Sequence, residues 1–228
     1  MFENEKVGAV ITAAGLSQRM AGIDKVLANL GGVPVIARAV NVFQECKTID
    51  QIVVVLNRQN IAAGRTLATE YGYSKVTDIC EGGPRRQDSV MNGLNKLNNC
   101  RWAVIHDGAR PLVTADLIEH GLEAALETGA AIAAIPVTDT IKVVGKDMIV
   151  QGTPPRQSLW SIQTPQVFRC ELILEAFRHI QSEVTDDAMT IEMLGHKVKI
   201  YVGSYDNIKI TTPDDLILAE ILWRKYGR

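Results

Sequence analysis

Residues 9–20 read AVITAAGLSQRM, and Lys25 follows five positions later. Residues 7–11 form an apolar run rich in β-branched side chains, which predicts one buried strand. Residues 12–15 are small, so the backbone there can approach a ligand closely. Arg19 and Lys25 add two cations after this turn. We interpret the stretch as a triphosphate-binding cradle at the carboxyl end of a first strand, where open α/β sheets bind ligands. A strand–turn–helix with incidental basic residues is the alternative.

The composition and net charge of the chain argue against several classes of function. The chain has 228 residues and a formal net charge of -2, which argues against broad electrostatic binding to nucleic acid or to an anionic membrane. We find neither a secretory leader nor an apolar run long enough to span a bilayer. The 4 cysteines are scattered, with no Cys-x-x-Cys pair, which favours free thiols in a reducing compartment. We therefore expect a cytoplasmic protein that binds neither nucleic acid nor membranes.

Several familiar catalytic motifs are absent from the sequence. The cradle matches neither the P-loop, which needs Gly-Lys-Ser/Thr, nor G-x-G-x-x-G. Neither H-E-x-x-H nor another paired Cys/His spacing indicates a zinc site, and G-x-S-x-G does not occur. These absences exclude the zinc-protease and α/β-hydrolase interpretations.

Buried β-branched runs alternate with helical patterns through most of the chain, which is typical of βαβ units. We therefore predict an α/β fold with a Rossmann-like, doubly wound, mostly parallel sheet, formed as one domain over residues 1–228. Strands are predicted at 7–11, 51–56, 75–79, 101–106, 130–137 and 198–202. Helices are predicted at 34–45, 61–71, 85–97, 114–127, 171–181, 185–194 and 213–226, with Thr114 and Thr185 as N-caps.

The pattern changes to a β-hairpin after residue 138, around a turn at residues 145–147. We expect an inserted arm at about residues 138–158. Because a hairpin inserted in this way exposes apolar faces, we expect the arm to bury them against a second copy of the chain. An arm folded back on its own domain is the alternative.

Charged and small polar residues gather at the predicted strand ends and loops. Cations dominate, and two carboxylates accompany them, which fits an anionic substrate with Mg²⁺, since Mg²⁺ takes one or two carboxylates together with phosphate oxygens. Without a Ser–His or Cys–His pair, direct in-line attack on phosphorus is the simplest chemistry, driven by positioning and charge neutralisation. Each residue taken singly has a structural alternative, such as a solvated charge. The nine residues are Arg19, Lys25, Ser89, Asp107, Arg110, Arg156, Thr185, Asp206 and Lys209.

Seven motifs occur in a characteristic order. They are A-A-G-x-x-x-R-M with Lys25, G-G-x-x-R-x-x-S at 82–89, H-D-G-A-R-P at 106–111, P-V-x-D-T-x-K at 136–142, L-W-x-x-Q-T-P-Q at 159–166, T-D-D-A at 185–188 and D-N-I-K at 206–209. Together they resemble the 2-C-methyl-D-erythritol 4-phosphate cytidylyltransferase family of the non-mevalonate isoprenoid pathway, over nearly the whole chain. The resemblance implies transfer of CMP from CTP to 2-C-methyl-D-erythritol 4-phosphate, a sugar-alcohol phosphate. The products would be 4-diphosphocytidyl-2-C-methyl-D-erythritol and pyrophosphate, with Mg²⁺ as cofactor.

The resemblance also assigns the charged residues to phosphate chemistry. Lysines and arginines would neutralise the charge that grows on the α-phosphate and on the leaving pyrophosphate. The guanidinium of Arg156 would bind the acceptor's phosphate, because its fork can donate two parallel hydrogen bonds. The residues implied in catalysis are Arg19, Lys25, Arg156 and Lys209, and those implied in Mg²⁺ binding are Asp107 and Asp206.

Further residues would bind the two substrates. The cradle would hold the triphosphate, and Gly83 and Ser89 would contact the cytosine and ribose side. In the implied homodimer, the arm would bring Thr140 and Arg156 into the neighbour's site. The implied substrate contacts are Ala13, Ala14, Gly15, Gly83, Ser89, Gly108, Arg110, Thr140, Thr164 and Thr185.

Three positions depart from the family pattern. Thr12 stands where Pro is frequent, Asp24-Lys25-Val26 where Pro-Lys-Gln is frequent, and Pro84 where an acidic residue is common. These departures bear on loop conformation and base contacts and leave the phosphate chemistry intact. Two alternatives remain: a cytidylyltransferase for another polyol phosphate, such as ribitol 5-phosphate, and a non-catalytic nucleotide-binding scaffold. Pyrophosphate release with each acceptor discriminates among them.

Overall fold

The computed structural model describes residues 1–15, 20, 24–180 and 182–225. The strands are β1 Val7–Ala13, β2 Asn29–Leu30, β3 Val33–Pro34, β4 Gln51–Leu56, β5 Val76–Glu81, β6 Trp102–Asp107, β7 Ala130–Pro136, β8 Val143–Val144, β9 Val150–Gly152, β10 Trp160–Arg169 and β11 Lys199–Val202. The α-helices are α1 Val35–Glu45, α2 Ile61–Glu70, α3 Arg86–Leu94, α4 Ala115–Thr128, α5 Cys170–His179, α6 Asp187–Met193 and α7 Pro213–Lys225. Short 3₁₀ turns occupy Arg58–Asn60 and Arg156–Ser158.

One seven-stranded sheet carries the fold, in the order β11-β7-β10-β6-β1-β4-β5. Its pairs are parallel except those that β10 makes with β6 and β7, which are antiparallel. Strands β4 and β6 are buried at every position, as expected of strands covered on both faces. The predicted α/β fold with a mostly parallel sheet is confirmed.

Helices cover both faces of this sheet, so the winding is double. On one face, α1 and α4 pack Phe43 and Leu122 against β1 and β6. On the other face, α3, α5 and α6 pack Val90, Ile173 and Ile191 against the alternate residues of the same strands. Each such side chain contributes roughly 1.5–3 kcal/mol when it is removed from water. A smaller cluster joins α7 to the loops at the carboxyl ends of the strands through Leu112, Ile210 and Ala219.

Strand β10 is an element that the sequence analysis did not predict. Its middle carries Gln163, Thr164 and Gln166, which are nearly inaccessible to solvent. Hydrogen bonds engage all three side chains; for example, Gln163 Nε2 donates to the carbonyl oxygen of Ser204 at 2.8 Å. Gln166 Oε1 is buried without a hydrogen-bond partner among the described residues. The register also shifts between Ile162 and Gln166. A strand with buried polar residues and an irregular register lacks the apolar pattern from which strands are predicted.

The two predicted helix caps have different outcomes. Thr114 caps α4 as predicted, since its hydroxyl accepts a hydrogen bond from the amide of Leu117 at 3.2 Å. The prediction for Thr185 is wrong. Asp186 is the N-cap of α6, and its carboxylate accepts from the amide of Met189 at 3.0 Å. Asp is as good an N-cap as Ser or Thr, and it stands one residue closer to the helix.

The predicted hairpin is confirmed as the pair β8 and β9. The amide of Gly145 donates to the carbonyl of Ile149 at 2.9 Å across its turn. Large apolar side chains of this arm face solvent in the single chain, with Met148 exposed to 83% and Ile149 to 63%. In the part of the chain that the structure describes, no helix has both the length and the apolar character needed to cross a bilayer.

Candidate active site

A cleft of about 680 Å³ opens at the carboxyl ends of β1, β4, β5 and β6. These strands are neighbours in the sheet order, so the residues that follow them converge on one place. Thr12 and Ala13 come from β1, Glu81 from β5 and Asp107 from β6. Lys209 enters from the segment before α7 and lines the same cleft. The predicted convergence of the cradle with the end of β6 is thereby observed.

The cradle lines one side of the cleft through Ala13, Ala14 and Gly15. A side chain at Gly15 would meet no atom within 4 Å among the described residues, so this part of the cradle is open to a ligand. Gly108 is different, because a Cβ there would collide with Ile36 beneath the cleft. The predicted role of Gly108 therefore includes tight packing. Arg19 and residues 16–18 lie outside the described residues.

Lys25 lies in a turn that Asp24 organises. One oxygen of the Asp24 carboxylate accepts from the amide of Val26 at 3.0 Å, and the other accepts from Asn60 Nδ2 at 2.5 Å. Asn60 belongs to the 3₁₀ turn that Asn57 caps. The departure from the family pattern at Asp24 thus has a structural reason: the carboxylate fastens the turn of Lys25 to the turn that follows β4.

Gly82, Gly83 and Ser89 form the opposite wall, on the predicted base side. The amide of Gly83 donates to Ser89 Oγ at 3.0 Å. A Cβ at Gly82 would collide with Ala14, and one at Gly83 would collide with Asp88. Gly82 therefore lets this loop lie directly against the cradle, and Gly83 lets it pack against Asp88 in the first turn of α3.

Asp107 is the electrostatic centre of the cleft. Its carboxylate lies 2.7 Å from Lys209 Nζ, 3.6 Å from Arg86 Nε and 3.7 Å from Arg110 Nε. Burial alone raises the pKa of this carboxyl, but the three cations outweigh that effect and hold the pKa of Asp107 well below its usual range. Asp107 is consequently a carboxylate at neutral pH, and the surplus positive charge around it suits a phosphate-rich ligand.

A buried hydrogen-bonded chain supports the backbone of Asp107. Thr164 Oγ1 accepts from the amide of Asp107 at 3.0 Å and lies 3.1 Å from His106 Nδ1. His106 Nε2 lies 3.1 Å from the carbonyl of Arg110. Burial lowers the pKa of His106 to about 4. A neutral ring facing a carbonyl must carry its proton on Nε2, so Nδ1 accepts from the hydroxyl of Thr164.

Arg110 and Asn207 join this network to the D-N-I-K segment. Arg110 Nη1 donates to the carbonyl of Asn207 at 2.6 Å, and Asn207 Nδ2 donates to the carbonyl of Thr164 at 2.8 Å. These bonds hold Lys209 above Asp107. Burial lowers the pKa of Arg110, which still leaves the guanidinium charged. Among the described residues, Arg110 Nε is buried without a hydrogen-bond partner.

The two predicted metal ligands, Asp107 and Asp206, have different surroundings. Asp206 lies 3.9 Å from Lys225 Nζ, and the described residues that line the cleft include the carboxylates of Asp107 and Glu81 but not that of Asp206. Nor do the described residues contain a group of three or more His, Cys, Asp or Glu side chains that could hold a metal. One carboxylate with phosphate oxygens still fits Mg²⁺.

The remaining predicted contacts lie apart from the cleft of their own chain. Thr164 is 3% exposed and engaged with Asp107. Thr185 is exposed, and its hydroxyl contacts Met189 Sδ at 3.6 Å. Thr140 and Arg156 belong to the arm, where Arg156 Nη1 donates to the carbonyl of Thr138 at 2.8 Å. None of these four is among the described residues that line the cleft.

The sequence analysis missed four residues in or beside the cleft. Arg58, Arg85 and Arg86 add cations to its wall. Asp187 lies behind that wall, with both oxygens on Arg86. A signal was present for two of them, since Arg86 is the arginine of G-G-x-x-R-x-x-S and Asp187 belongs to T-D-D-A. Arg58 carries no motif.

Comparison with known proteins gives one family. The model described as "IspD: 2-C-methyl-D-erythritol 4-phosphate cytidylyltransferase" matches residues 7–225. The 2-C-methyl-D-erythritol 4-phosphate cytidylyltransferase of Dehalococcoides mccartyi strain ATCC BAA-2266 is 52% identical over 225 residues, which is 99% of each chain. The protein of the same name from Alkaliphilus oremlandii is 47% identical in an alignment of 231 positions that covers 98% of each chain.

Solved structures agree with this result. The 4-diphosphocytidyl-2C-methyl-D-erythritol synthase of Anaerococcus prevotii superposes with a TM-score of 0.85 at 30% identity, over 96% of this chain and 99% of that one. The 2-C-methyl-D-erythritol 4-phosphate cytidylyltransferase of Thermus thermophilus superposes with a TM-score of 0.77 at 30% identity, over 94% and 98% of the two chains.

Proposed function

The chain belongs to the 2-C-methyl-D-erythritol 4-phosphate cytidylyltransferase family, and from that premise we propose how its cleft works. The activity is transfer of CMP from CTP to 2-C-methyl-D-erythritol 4-phosphate, which gives 4-diphosphocytidyl-2-C-methyl-D-erythritol and pyrophosphate. The observation that carries the assignment to this cleft is the placement of Ala14, Lys25, Ser89, Asp107 and Lys209 around one opening at four neighbouring strand ends.

The reaction is a single in-line displacement. An oxygen of the acceptor's phosphate attacks the α-phosphorus of CTP, and the bond from that phosphorus to the oxygen bridging the β-phosphate breaks. The described residues that line the cleft include neither His nor Cys, which supports attack by the acceptor itself. Negative charge grows on the leaving pyrophosphate, so cations that are already in position lower the barrier.

Lys25, Arg19 and Lys209 supply those cations. Lys25 stands on the turn that Asp24 fixes, beside the cradle. Lys209 Nζ lies 2.7 Å from Asp107, and an ammonium group has three donors. It can therefore keep Asp107 on one donor and bind the α-phosphate with another. The role of Arg19 follows from its place in the A-A-G-x-x-x-R-M motif.

We propose Mg²⁺ as the cofactor, held by Asp107. When bound, Mg²⁺ neutralises phosphate charge and orients the phosphate oxygens. Asp107 suits this role because it lines the cleft and stays ionised. Asp206 is retained as a second proposed ligand from the motif, although it pairs with Lys225 here. Mn²⁺ binding followed by electron paramagnetic resonance in Asp107→Asn and Asp206→Asn tests each ligand separately.

Arg110 and Thr185 are proposed to bind the acceptor beside the cleft, although neither is among the described residues that line it. Arg110 Nε is buried and has no hydrogen-bond partner among the described residues, which supports a phosphate contact there. Thr164 holds the amide of Asp107 and is proposed to contact the acceptor.

Thr140 and Arg156 are proposed to act across a homodimer. Both lie on the arm and outside the described lining of their own cleft. The arm's exposed apolar side chains, such as Met148, Ile149 and Val150, suit burial against a second copy. Residues 1–228 are proposed to form one nucleotidyltransferase domain that acts in the cytoplasm; the cysteines, none of which forms a disulfide, support that location.

Pyrophosphate release tests the proposed acceptor directly. The purified protein is assayed with CTP, Mg²⁺ and either 2-C-methyl-D-erythritol 4-phosphate or ribitol 5-phosphate. We expect turnover with the first acceptor only. Turnover with the second alone would keep the cleft and the chemistry but overturn the acceptor. Binding of CTP without turnover on either acceptor would favour a nucleotide-binding scaffold.

A further inference from the structure

Arg86 occupies a position that the reaction described above does not use. It is the first residue of α3, directly after the loop that carries Gly83. Its guanidinium lines the cleft, with Nε 3.6 Å from Asp107 Oδ1. Its two terminal nitrogens donate to the two oxygens of Asp187, each at 2.8 Å. Arg86 therefore faces two carboxylates from two different parts of the chain.

Asp187 is the buried member of this pair. Its side chain has no solvent exposure, and it stands in the first turn of α6, two residues after Thr185. A buried carboxylate is costly unless it is paired and hydrogen-bonded, and Arg86 meets both of its oxygens. The fork geometry also fixes the plane of the guanidinium, which a single contact would not do.

Gln87 adds two more bonds to the same junction. Its Nε2 donates to the carbonyl of Ser182, and its Oε1 accepts from the amide of Val184, both at 3.2 Å. Arg86 and Gln87 at the start of α3 thus bind the chain on both sides of Thr185. Among the described residues, the hydroxyl of Thr185 is given a single hydrogen bond, to Met189 Sδ, so its place is set mainly by its neighbours in the chain.

We propose that Asp187 is a positioning residue: through Arg86, it holds the acceptor-side segment that carries Thr185 in register with Asp107. The inference rests on the proposed function, because Thr185 is an acceptor contact only there. By occupying two of the guanidinium's nitrogens, Asp187 also keeps Arg86 from closing on Asp107, so Lys209 stays closer to that carboxylate than Arg86 does.

The test separates acceptor binding from nucleotide binding. In Asp187→Asn we expect the KM for the acceptor to rise about tenfold, since the contact on Thr185 is misplaced. The Kd for CTP, measured by calorimetry, should stay within about twofold of wild type, because the cradle and Ser89 are untouched. Arg86→Lys keeps the charge but loses the fork, so it should shift the acceptor KM in the same direction.

Asp186→Asn is the matched control in the same segment. Asn is also a good N-cap, and Asp186 bonds Met189 and Gln166 and makes no hydrogen bond to Arg86 among the described residues. Its acceptor KM should stay near the wild-type value. Equal losses of CTP and acceptor binding in Asp187→Asn would overturn the proposal, as would an unchanged acceptor KM in both Asp187→Asn and Arg86→Lys.

Amide hydrogen exchange without substrates gives a second readout. Asp187→Asn should speed exchange in residues 184–191 and leave β1 unchanged, because only the tie to α3 is weakened. Unchanged exchange in that segment would contradict the inference alone. Absence of turnover by the wild-type enzyme would contradict the proposed function instead. If Asp187→Asn fails to fold, the kinetic measurement and the hydrogen-exchange measurement are both made on Arg86→Lys.

Discussion

The nucleotide side of the cleft and its acceptor side are built in different ways. Residues of the nucleotide side follow β1, β4 and β5, which are adjacent strands of one sheet. Residues proposed for the acceptor side come from β10, from the segment before α6, from the arm and from the turn after β6. Only Thr164 and Arg110 of these are described in contact with Asp107. The carboxyl ends of adjacent strands are thus sufficient to form the nucleotide site within one chain. The acceptor site depends on long-range ties and, we propose, on a second copy.

The largest effect should come from the nucleotide side. Lys25→Ala should lower kcat by about 10³-fold, because Lys25 is assigned to charge that grows in the transition state. CTP binding should weaken far less, which calorimetry measures beside steady-state kinetics. Lys197→Ala, an exposed lysine outside the cleft, is the control and should match wild type. Equal losses in kcat and in CTP affinity would remove Lys25 from that role.

Asp107→Asn changes the carboxylate at the centre of the cleft, between the nucleotide side and the acceptor side. The change leaves Lys209, Arg86 and Arg110 without their shared carboxylate, and we expect kcat to fall by about 10²-fold. The Mg²⁺ concentration needed for half-maximal rate should rise as well, since Asp107 is the proposed ligand. A variant with a normal Mg²⁺ dependence would show that Asp107 only organises the cations.

The pH dependence of the free energy of unfolding tests the buried hydrogen-bonded chain of His106, which lies beneath both sides of the cleft. His106 is neutral in the folded chain, where burial lowers its pKa to about 4 from 6.5. As the pH falls below 6.5, the unfolded chain takes up a proton on this histidine before the folded chain does. The free energy of unfolding is therefore higher at pH 7 and decreases toward pH 4. We expect about 2 kcal/mol of loss between pH 7 and pH 5 from this residue.

Urea unfolding of wild type and of His106→Gln at the two pH values measures that contribution. Glutamine keeps one donor and one acceptor for Arg110 and Thr164, but it does not titrate. The variant should therefore lose less stability than wild type as the pH falls. An identical loss in both proteins would show that other groups carry the pH dependence.

Arg156→Ala should have the smallest effect of the series and the most selective one. Removing a phosphate contact should raise the KM for the acceptor by about tenfold and leave that for CTP unchanged. Initial rates with each substrate varied in turn measure both constants. A parallel rise in the KM for CTP would place Arg156 on the nucleotide side and would contradict its assignment to the acceptor side.

Much of the nucleotide side could be predicted from the sequence because its signals are local. Strands β4 and β6 are buried on both faces and therefore show as continuous apolar runs. The small residues of the cradle and the Asp107 motif directly follow such runs. The order of the strands then brings them together, as it does in doubly wound sheets generally.

The acceptor side could be predicted less well because its interactions are long-range and polar. Arg86 and Asp187 stand 101 residues apart, and no local pattern pairs them. Strand β10 carries buried glutamines and a threonine that bond to other segments. Asp206 shares its motif with Lys209 but pairs with Lys225 on α7, and only the packing of α7 reveals that pairing.

We propose that one chain's nucleotide side works with its neighbour's arm. Mixing Lys25→Ala, which should be nearly inactive, with Arg156→Ala, which should bind the acceptor weakly, tests this proposal at an acceptor concentration below the KM of the wild type. Lys25→Ala and Arg156→Ala subunits, differently tagged, are unfolded together, refolded and assayed for pyrophosphate release. A heterodimer would contain one complete site, made of an intact Lys25 and the partner's intact arm. Random pairing should then restore about a quarter of the wild-type activity above the Arg156→Ala background. Verified heterodimers with no activity above that background would contradict the account.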